Sequence, residues 1–279
     1  MVRNRNGEVM RMTEPNIADS AAVDVDALCR RMRVAAFDLD GTLARSKKPM
    51  HADIAQALSE LTTLLPVAIV SGGVMPLIES QVTDMLASGA DRVNLHLMPT
   101  TGTRYYRWDG AAWTKVYERD LSAADRAAAI ASLERRAREQ GIWTDHGWGP
   151  IIEDRGSQIT YSALGQQAPV EAKERWDPDN TKKNRLAEAV QRDLPNLKVR
   201  SGGSTSVDIS ARDIDKAYAV RELAHATGVD VGSIAFIGDR MDPDGNDYPA
   251  AAAGTIAIRV TGPEATLRLI DAINTRLRH

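Results

Sequence analysis

Short runs of hydrophobic residues alternate with amphipathic segments along the first third of the chain. Residues 34–37 form an apolar run that ends at Asp38, and residues 65–70 form another that ends at Ser71-Gly72-Gly73, which is typical of buried strands followed by loops. Residues 25–32, 51–61 and 77–86 instead carry hydrophobic side chains at helical spacing. This alternation predicts an α/β fold with a doubly wound parallel sheet of the Rossmann-like kind.

The pattern changes in the middle of the chain. Within residues 95–116 the apolar runs are short, contain aromatic residues and alternate with turn residues. Asp109-Gly110 predicts a hairpin turn there. We then expect helices and strands in a different order from that of the first third, namely a helix at 122–140, strands at 151–153 and 158–161, a helix at 182–192, and strands at 198–200 and 206–209. The middle of the chain therefore predicts an inserted α+β unit.

Parallel alternation returns near the C-terminus. A helix is predicted at 216–227, strands at 233–237 and 255–260, and a helix after them. The sequence thus describes a core that is interrupted by an insertion and then resumes. We expect a flexible leader at 1–24, the first part of the core at 25–115, the insertion at 116–209 and the second part of the core at 210–279.

Composition and charge exclude several classes of protein. The net charge of -3 provides no basic field for a nucleic acid or an anionic membrane surface, so we expect a small substrate. Cys29 is the single cysteine, which rules out an intramolecular disulfide and fits a reducing cytoplasmic location. No run of residues is apolar for long enough to span a membrane, and the N-terminus lacks the apolar segment of a signal peptide.

Polar residues follow three of the predicted strands. In a doubly wound sheet the ligand lies beyond the carboxyl ends of the strands, so these loops should converge on one crevice. Lys216 begins a predicted helix that leads into a later strand of the same core. The residues that the three loops contribute are Asp38 and Asp40, then Ser71, then Asp239 with Asp242, Asp244 and Asp247. This set predicts an acidic metal site beside a lysine and a hydroxyl.

Residues 37–43 (FDLDGTL) resemble the first motif of the haloacid dehalogenase superfamily, which includes phosphatases and phosphomutases. Ser71 is similar to the second motif and Lys216 to the third, while Gly238-Asp239 with residues 245–247 is similar to the fourth. The motifs occur in the required order and cover essentially the whole core. An aspartate pair after a strand is often only turn chemistry, and it is the complete ordered set that favours a catalytic site.

The resemblance implies phosphoryl transfer through a covalent intermediate. Asp38 would attack phosphorus and become an aspartyl phosphate. Asp40 would protonate the leaving alkoxide and then deprotonate the attacking water or hydroxyl. Ser71 and the ammonium of Lys216 would hold the phosphoryl oxygens, and the lysine would also reduce repulsion between Asp38 and the incoming dianion.

The same resemblance implies a bound Mg²⁺ ion, which prefers hard oxygen ligands. The expected ligands are Asp38, the backbone carbonyl of Asp40 and Asp239, with Asp247 either a ligand or a support for the ligands. Gly41 would allow the backbone to approach the substrate closely. A calcium loop over residues 239–247 is a weaker alternative, because Pro243 interrupts it and the glutamate expected at its twelfth position is absent.

The insertion lies where the superfamily carries its larger, type C2 cap, and it resembles the cap of type IIB members and of phosphomannomutases. The segments that carry this resemblance are 151–156, 162–165, 201–203 and 206–208. It implies substrate contacts by Arg155, Ser206 and Asp208. Tryptophans of the insertion could stack on a sugar, although buried packing is the commoner role.

The cap also departs from the mutase pattern. A mutase must rebind a second phosphate, for which the family uses several cap arginines, but Gln166 stands where one is expected. We therefore rank a phosphatase acting on a small sugar phosphate above a phosphomannomutase. A non-catalytic sugar-phosphate sensor ranks third, because it would not need the catalytic set. Several relatives dimerise through the cap, which makes a homodimer possible.

Overall fold

The structure is a computed structural model that describes residues 14–202 and 204–279. It divides into two compact units. The unit that we call the core contains the described residues up to Lys115 together with Asp215–His279, and the unit that we call the cap is Val116–Ile214. The two are described separately below.

The strands and helices are numbered in chain order. The strands are β1 (Ile17–Asp19), β2 (Val34–Phe37), β3 (Val67–Val70), β4 (Leu95–Met98), β5 (Arg104–Trp108), β6 (Trp113–Glu118), β7 (Ile152–Asp154), β8 (Gln158–Ser162), β9 (Leu197–Ser201), β10 (Ser206–Ala211), β11 (Ile234–Gly238) and β12 (Ile256–Arg259). The helices are α1 (Val25–Arg31), α2 (Ala52–Leu64), α3 (Met75–Gln81), α4 (Ala123–Glu139), α5 (Val170–Trp176), α6 (Thr181–Asp193), α7 (Lys216–Thr227), α8 (Tyr248–Ala252) and α9 (Pro263–Leu277).

The core sheet has the strand order β1-β12-β11-β2-β3-β4-β5-β6. Strand β2 is parallel to β11 on one side and to β3 on the other. From β2 the chain proceeds outward through β3 and β4, and it later returns to the opposite side of β2 as β11. The order of the strands thus reverses between β2 and β11, which is where doubly wound sheets bind ligands. The predicted fold class, a parallel-sheet core with an inserted α+β unit, is confirmed.

The sheet is buried because its central strands are apolar on both faces. Every residue of β2 and β3 is buried, as expected for parallel strands covered by helices. Side chains of these strands share one hydrophobic core with α1, α2 and α9. Helices α2 and α9 pack on each other, and the buried amide of Asn274 donates from Nδ2 to the carbonyl of Ala57 at 2.9 Å. This packing holds the strand ends that carry the site.

The first 24 residues differ in part from the predicted flexible leader. Strand β1 pairs in parallel with β12, with Ile17 opposite Ala257 and Asp19 opposite Arg259. Three residues are too few for a periodic pattern, so only the hydrogen bonds of the neighbouring strand define this element. Residues 1–13 of the predicted leader lie outside the described residues.

The cap contains a four-stranded antiparallel sheet with the order β7-β8-β10-β9. One face carries Tyr161 and Ile209, which pack against α4 and α6. Side chains alternate between the faces of a strand, so Thr160 and its cross-strand partner Asp208 lie on the opposite, polar face. The cap boundary predicted at residue 209 is wrong, because β10 stays paired with β9 as far as Ala211.

Helix α5 was not predicted from the sequence. It has only seven residues, and charged side chains interrupt its apolar positions. A segment of this length gives little helical periodicity.

No helix in the described part of the chain is both long and apolar enough to cross a membrane.

Candidate active site

A buried lysine lies between two buried carboxylates at the reversal point of the core sheet. Asp38 directly follows β2, and Lys216 is the first residue of α7. The Nζ atom of Lys216 donates to Asp38 Oδ1 at 2.5 Å and also forms a short ion pair with Asp247 Oδ1. Their exposed fractions are 5% for Asp38, 2% for Lys216 and 0% for Asp247. The three charges are therefore shielded from water and interact strongly.

The charges of this cluster depend on one another. Burial raises the pKa of Asp38, and the negative charge of Asp247 raises it further, while Lys216 opposes both effects. Burial disfavours the ammonium of Lys216, but the two carboxylates outweigh burial and raise the pKa of this lysine. The lysine thus stays charged beside its carboxylates.

Asp239 adds a third carboxylate to the cluster. One oxygen each of Asp38, Asp239 and Asp247 lie within 4.8 Å of one another. Burial and the charge of Asp247 raise the pKa of Asp239, and the Thr42 hydroxyl donates to its Oδ1 at 3.3 Å. Three carboxylates against one ammonium leave a surplus of negative charge on hard oxygen atoms. This donor set fits a divalent cation such as Mg²⁺.

Gly41 lets the loop after β2 approach Asp239. Its φ of +87° is in the left-handed region, and a Cβ at this position would lie 2.5 Å from Asp239 Oδ2. Gly238 is similarly close to the fourth-motif loop, since a Cβ there would lie 2.4 Å from Asp247 Oδ2. Both glycines bring the backbone against the carboxylate cluster.

Gly41→Ala is expected to weaken divalent-ion binding by roughly tenfold or more, because the added Cβ would displace the Asp239 carboxylate, one of the three proposed ligands of an ion that demands near-ideal geometry. Isothermal titration with Mg²⁺ or Mn²⁺ measures the affinity. Gly110→Ala is the matched control, since Gly110 also has a positive φ (+107°) but a Cβ there meets nothing within 4 Å. Equal affinities of the two variants would show that Gly41 is only a turn residue.

Ser71 follows β3, the neighbour of β2. It is buried, and its Oγ accepts a hydrogen bond from the amide of Gly73 at 3.0 Å. Its own backbone amide bonds to the carbonyl of Met98, and its carbonyl accepts from Thr101. The structure therefore fixes Ser71 at the carboxyl end of a central strand, as predicted from its position after an apolar run.

Asp40 follows the same strand as Asp38, but its carboxylate lies outside the acidic cluster. Its Oδ1 accepts from the backbone amide of Lys47 at 2.8 Å and from Gln81 Nε2 at 3.2 Å. The metal contact predicted for Asp40 involves its backbone carbonyl, which this placement of the side chain leaves untested. Sequence reasoning missed Gln81 completely, because no motif contains it, and it missed Thr42, although Thr42 lies inside the first motif.

The substrate residues predicted in the cap lie on or beside its polar sheet face. Asp208 Oδ1 accepts from Thr160 at 2.7 Å and Gln158 at 2.9 Å, and burial raises the pKa of Asp208. Arg155 pairs with Glu153 at 2.6 Å. Ser206 lies near Asp208, because a Cβ on Gly202 would be 2.9 Å from Ser206 Oγ and 2.7 Å from Asp208 Oδ2. The cap thus offers oxygen atoms that can accept hydrogen bonds from hydroxyl groups, and it also offers the positively charged guanidinium of Arg155.

The sequence is similar to known phosphomannomutases. The family model described as eukaryotic phosphomannomutase matches residues 144–276. The phosphomannomutase of Spinacia oleracea is 26% identical over 242 residues, which cover 84% of this chain and 93% of that protein. Human phosphomannomutase 1 is 21% identical over 262 residues, which cover 88% and 94% of the two chains.

Solved structures with low sequence identity share the fold. An IMP-nucleotidase of Plasmodium falciparum superposes with a TM-score of 0.66 at 15% identity, over 90% of this chain and 71% of that one. A trehalose-6-phosphate phosphatase of Aspergillus fumigatus gives a TM-score of 0.57 at 14% identity, over 94% and 99%. At these identities the match establishes the architecture alone.

Proposed function

Since the chain has the haloacid dehalogenase fold and resembles phosphomannomutases, as its motifs predict, we propose that it transfers phosphoryl groups through Asp38. The observation that carries this proposal is the buried contact of Lys216 with Asp38 and Asp247 at the reversal point of the sheet. A nucleophilic carboxylate beside a fixed ammonium is what attack on a phosphate dianion requires.

The reaction begins when a carboxylate oxygen of Asp38 attacks phosphorus. An Asp38 O–P bond forms, and the P–O bond to the sugar oxygen breaks. Asp40 gives that oxygen a proton, so the sugar leaves as an alcohol. Lys216 and Ser71 hold phosphoryl oxygens during transfer. In the second half-reaction Asp40 takes a proton from water or a sugar hydroxyl, whose oxygen attacks the phosphoaspartate and releases Asp38.

A divalent metal ion fits this site, and we propose Mg²⁺. Asp38, Asp239 and Asp247 would hold it, together with the backbone carbonyl of Asp40. Bound there, the ion would supply positive charge that neutralises phosphoryl oxygens. The support is the surplus of carboxylate charge around Lys216.

The proposed substrate is a small phosphorylated sugar. The relatives with sequence similarity are named phosphomannomutases, and one structural neighbour is a trehalose-6-phosphate phosphatase. The carboxylate of Asp208 and the guanidinium of Arg155 are suited to sugar hydroxyls and to phosphate oxygens respectively. Ser206 is the third proposed contact.

Two phosphoryl acceptors, a hexose hydroxyl and water, are candidates, and a different observation favours each. The names of the relatives give stronger support to a phosphomannomutase, which returns the phosphate to a hexose. Gln166 favours hydrolysis, because a neutral amide stands where the mutases place an arginine for a second phosphate. Gln166 Nε2 is buried and has no hydrogen-bond partner among the described residues. This amide could donate a hydrogen bond to a sugar hydroxyl, but it carries no charge to neutralise a second phosphate.

The test supplies mannose 1-phosphate and Mg²⁺, with and without a hexose bisphosphate, and follows free phosphate and mannose 6-phosphate together. Isomer that forms only with the bisphosphate is expected of a mutase, and free phosphate without isomer is expected of a phosphatase. The Asp38→Asn protein is the blank. If neither product forms in a preparation that still hydrolyses p-nitrophenyl phosphate, mannose 1-phosphate is ruled out as the substrate. The search then extends to other sugar phosphates.

A further inference from the structure

The side chain of Gln81 connects Asp40 to the loop that follows the first motif. Gln81 ends α3 and is 1% exposed. Its Nε2 donates both to Asp40 Oδ1 at 3.2 Å and to the carbonyl of Lys48 at 2.9 Å. Its backbone carbonyl accepts from the amide of Met50 at 3.0 Å. One buried residue therefore contacts the loop at two points and the carboxylate at a third.

The orientation of this amide is set by its neighbours. Both groups that face Nε2 are acceptors, so a flipped amide would place Oε1 against a carboxylate oxygen and a carbonyl oxygen. The observed orientation leaves Oε1 without a partner in the described part of the chain, although this atom is buried. Donation to Asp40 and Lys48 is thus retained despite an unsatisfied oxygen, which is an uncommon arrangement in a core.

A second donor reaches the same oxygen of Asp40. The backbone amide of Lys47 lies 2.8 Å from Oδ1, in a residue whose φ of 56° is in the left-handed region. Two N–H donors on Oδ1 leave Oδ2 as the oxygen with no protein donor among the described residues. A carboxylate held in this way presents one defined oxygen to an incoming group.

We propose that Gln81 is a positioning residue for Asp40, holding Oδ1 so that Oδ2 exchanges the proton with the leaving group. This proposal rests on the acid/base role of Asp40 given above. As the P–O bond of the substrate breaks, the proton on Oδ2 passes to the departing oxygen. The next acceptor, water or a hydroxyl, returns a proton to Oδ2. Gln81 contacts no reacting atom and acts only through Asp40.

The test compares two phosphate monoesters that differ in their need for a proton. Phenolate leaves poorly unless it is protonated, whereas p-nitrophenolate leaves readily without a proton. Since general acids contribute about 10²-fold or more, partial misplacement of Asp40 in Gln81→Met is expected to lower kcat/KM for phenyl phosphate by roughly tenfold. This parameter reports the steps up to departure of the phenol and excludes hydrolysis of the phosphoaspartate, in which Asp40 acts equally for both esters. The same variant should lose only about twofold on p-nitrophenyl phosphate, which needs little acid catalysis.

Two further variants separate positioning from packing. Gln81→Glu keeps the size of the side chain but replaces the donor that faces Asp40, so it should show the same dependence on the ester. Asn274→Leu is the matched control, because Asn274 is also a buried amide that donates to a carbonyl and has an unpartnered oxygen. Its losses should be equal on both esters. The ratio of the two kcat/KM values in one preparation does not depend on the folded fraction.

The outcomes distinguish this inference from the proposed function. In the Asp40→Asn background, Gln81→Met should cause no further loss on phenyl phosphate, since its effect passes through Asp40. Equal losses of Gln81→Met on the two esters, or losses that add to those of Asp40→Asn, would overturn the positioning role. If Asp40→Asn itself loses equally on both esters, the acid role of Asp40 fails. If the unmodified protein with Mg²⁺ hydrolyses neither ester and also forms neither free phosphate nor isomer from mannose 1-phosphate with a hexose bisphosphate, the proposed phosphoryl transfer is itself overturned.

Discussion

Asp38→Asn is expected to lower kcat for phosphoester turnover by about four orders of magnitude or more, as loss of a nucleophile does in other covalent enzymes. The amide keeps the shape of the side chain but cannot form the phosphoaspartate. The folded state should survive, because Lys216 keeps its ion pair with Asp247. Rapid-quench labelling with a ³²P-phosphoester measures both turnover and the acid-stable, base-labile phosphate on the protein.

Asp53→Asn serves as the control for this measurement, since Asp53 lies in the first turn of α2 and is exposed. It should label and turn over like the unmodified protein. Labelling that persists in Asp38→Asn would place the nucleophile elsewhere. A loss of label together with a loss of the folded state would instead assign Asp38 a structural role.

Lys216→Met is expected to lower the free energy of unfolding by about 3–5 kcal/mol, because it leaves the carboxylates of Asp38 and Asp247 buried without their shared cation. Urea unfolding in a metal-free buffer measures this loss. Adding Mg²⁺ should restore part of the stability, since a cation that binds only the folded state shifts the equilibrium towards it.

A double variant tests the cause of that loss. Asp38→Asn removes one of the two orphaned charges, so its combination with Lys216→Met should be more stable than the sum of the single losses predicts. Lys183→Met is the control, because Lys183 is also buried but donates to the carbonyl of Gly202 in the cap. Its loss should add to that of Asp38→Asn. Additive losses for the Lys216 pair would mean that the two charges do not interact.

Much of the site could be predicted because parallel sheets place the carboxyl ends of their strands together. Asp38, Ser71 and Asp239 each follow an apolar run of the sequence, and apolar runs are its clearest signal. The structure places Asp38 and Asp239 in one carboxylate cluster with Asp247, and Lys216 beside it. Strand ends and the alternation of elements therefore predict which of these charged residues lie close together in the fold.

The residues that sequence reasoning missed depend on contacts between distant segments. Gln81 is a polar residue at the end of a short helix, and only the folded loop at Lys48 shows why it is buried. Strand β1 and helix α5 are too short for a periodic pattern. Such contacts cannot be predicted from the local sequence.

The reversal of strand order between β2 and β11 has a consequence for synthesis of the chain. Asp38 and the lysine that neutralises it are 178 residues apart, and β11 lies later still. The ribosome therefore releases β2, β3 and β4 long before β11, the missing neighbour of β2, has been synthesised. The cap is one uninterrupted stretch of chain and can complete its own folding during that interval. The nascent core, by contrast, has an open strand edge beside β2, where a chaperone or another nascent chain could pair until β11 emerges.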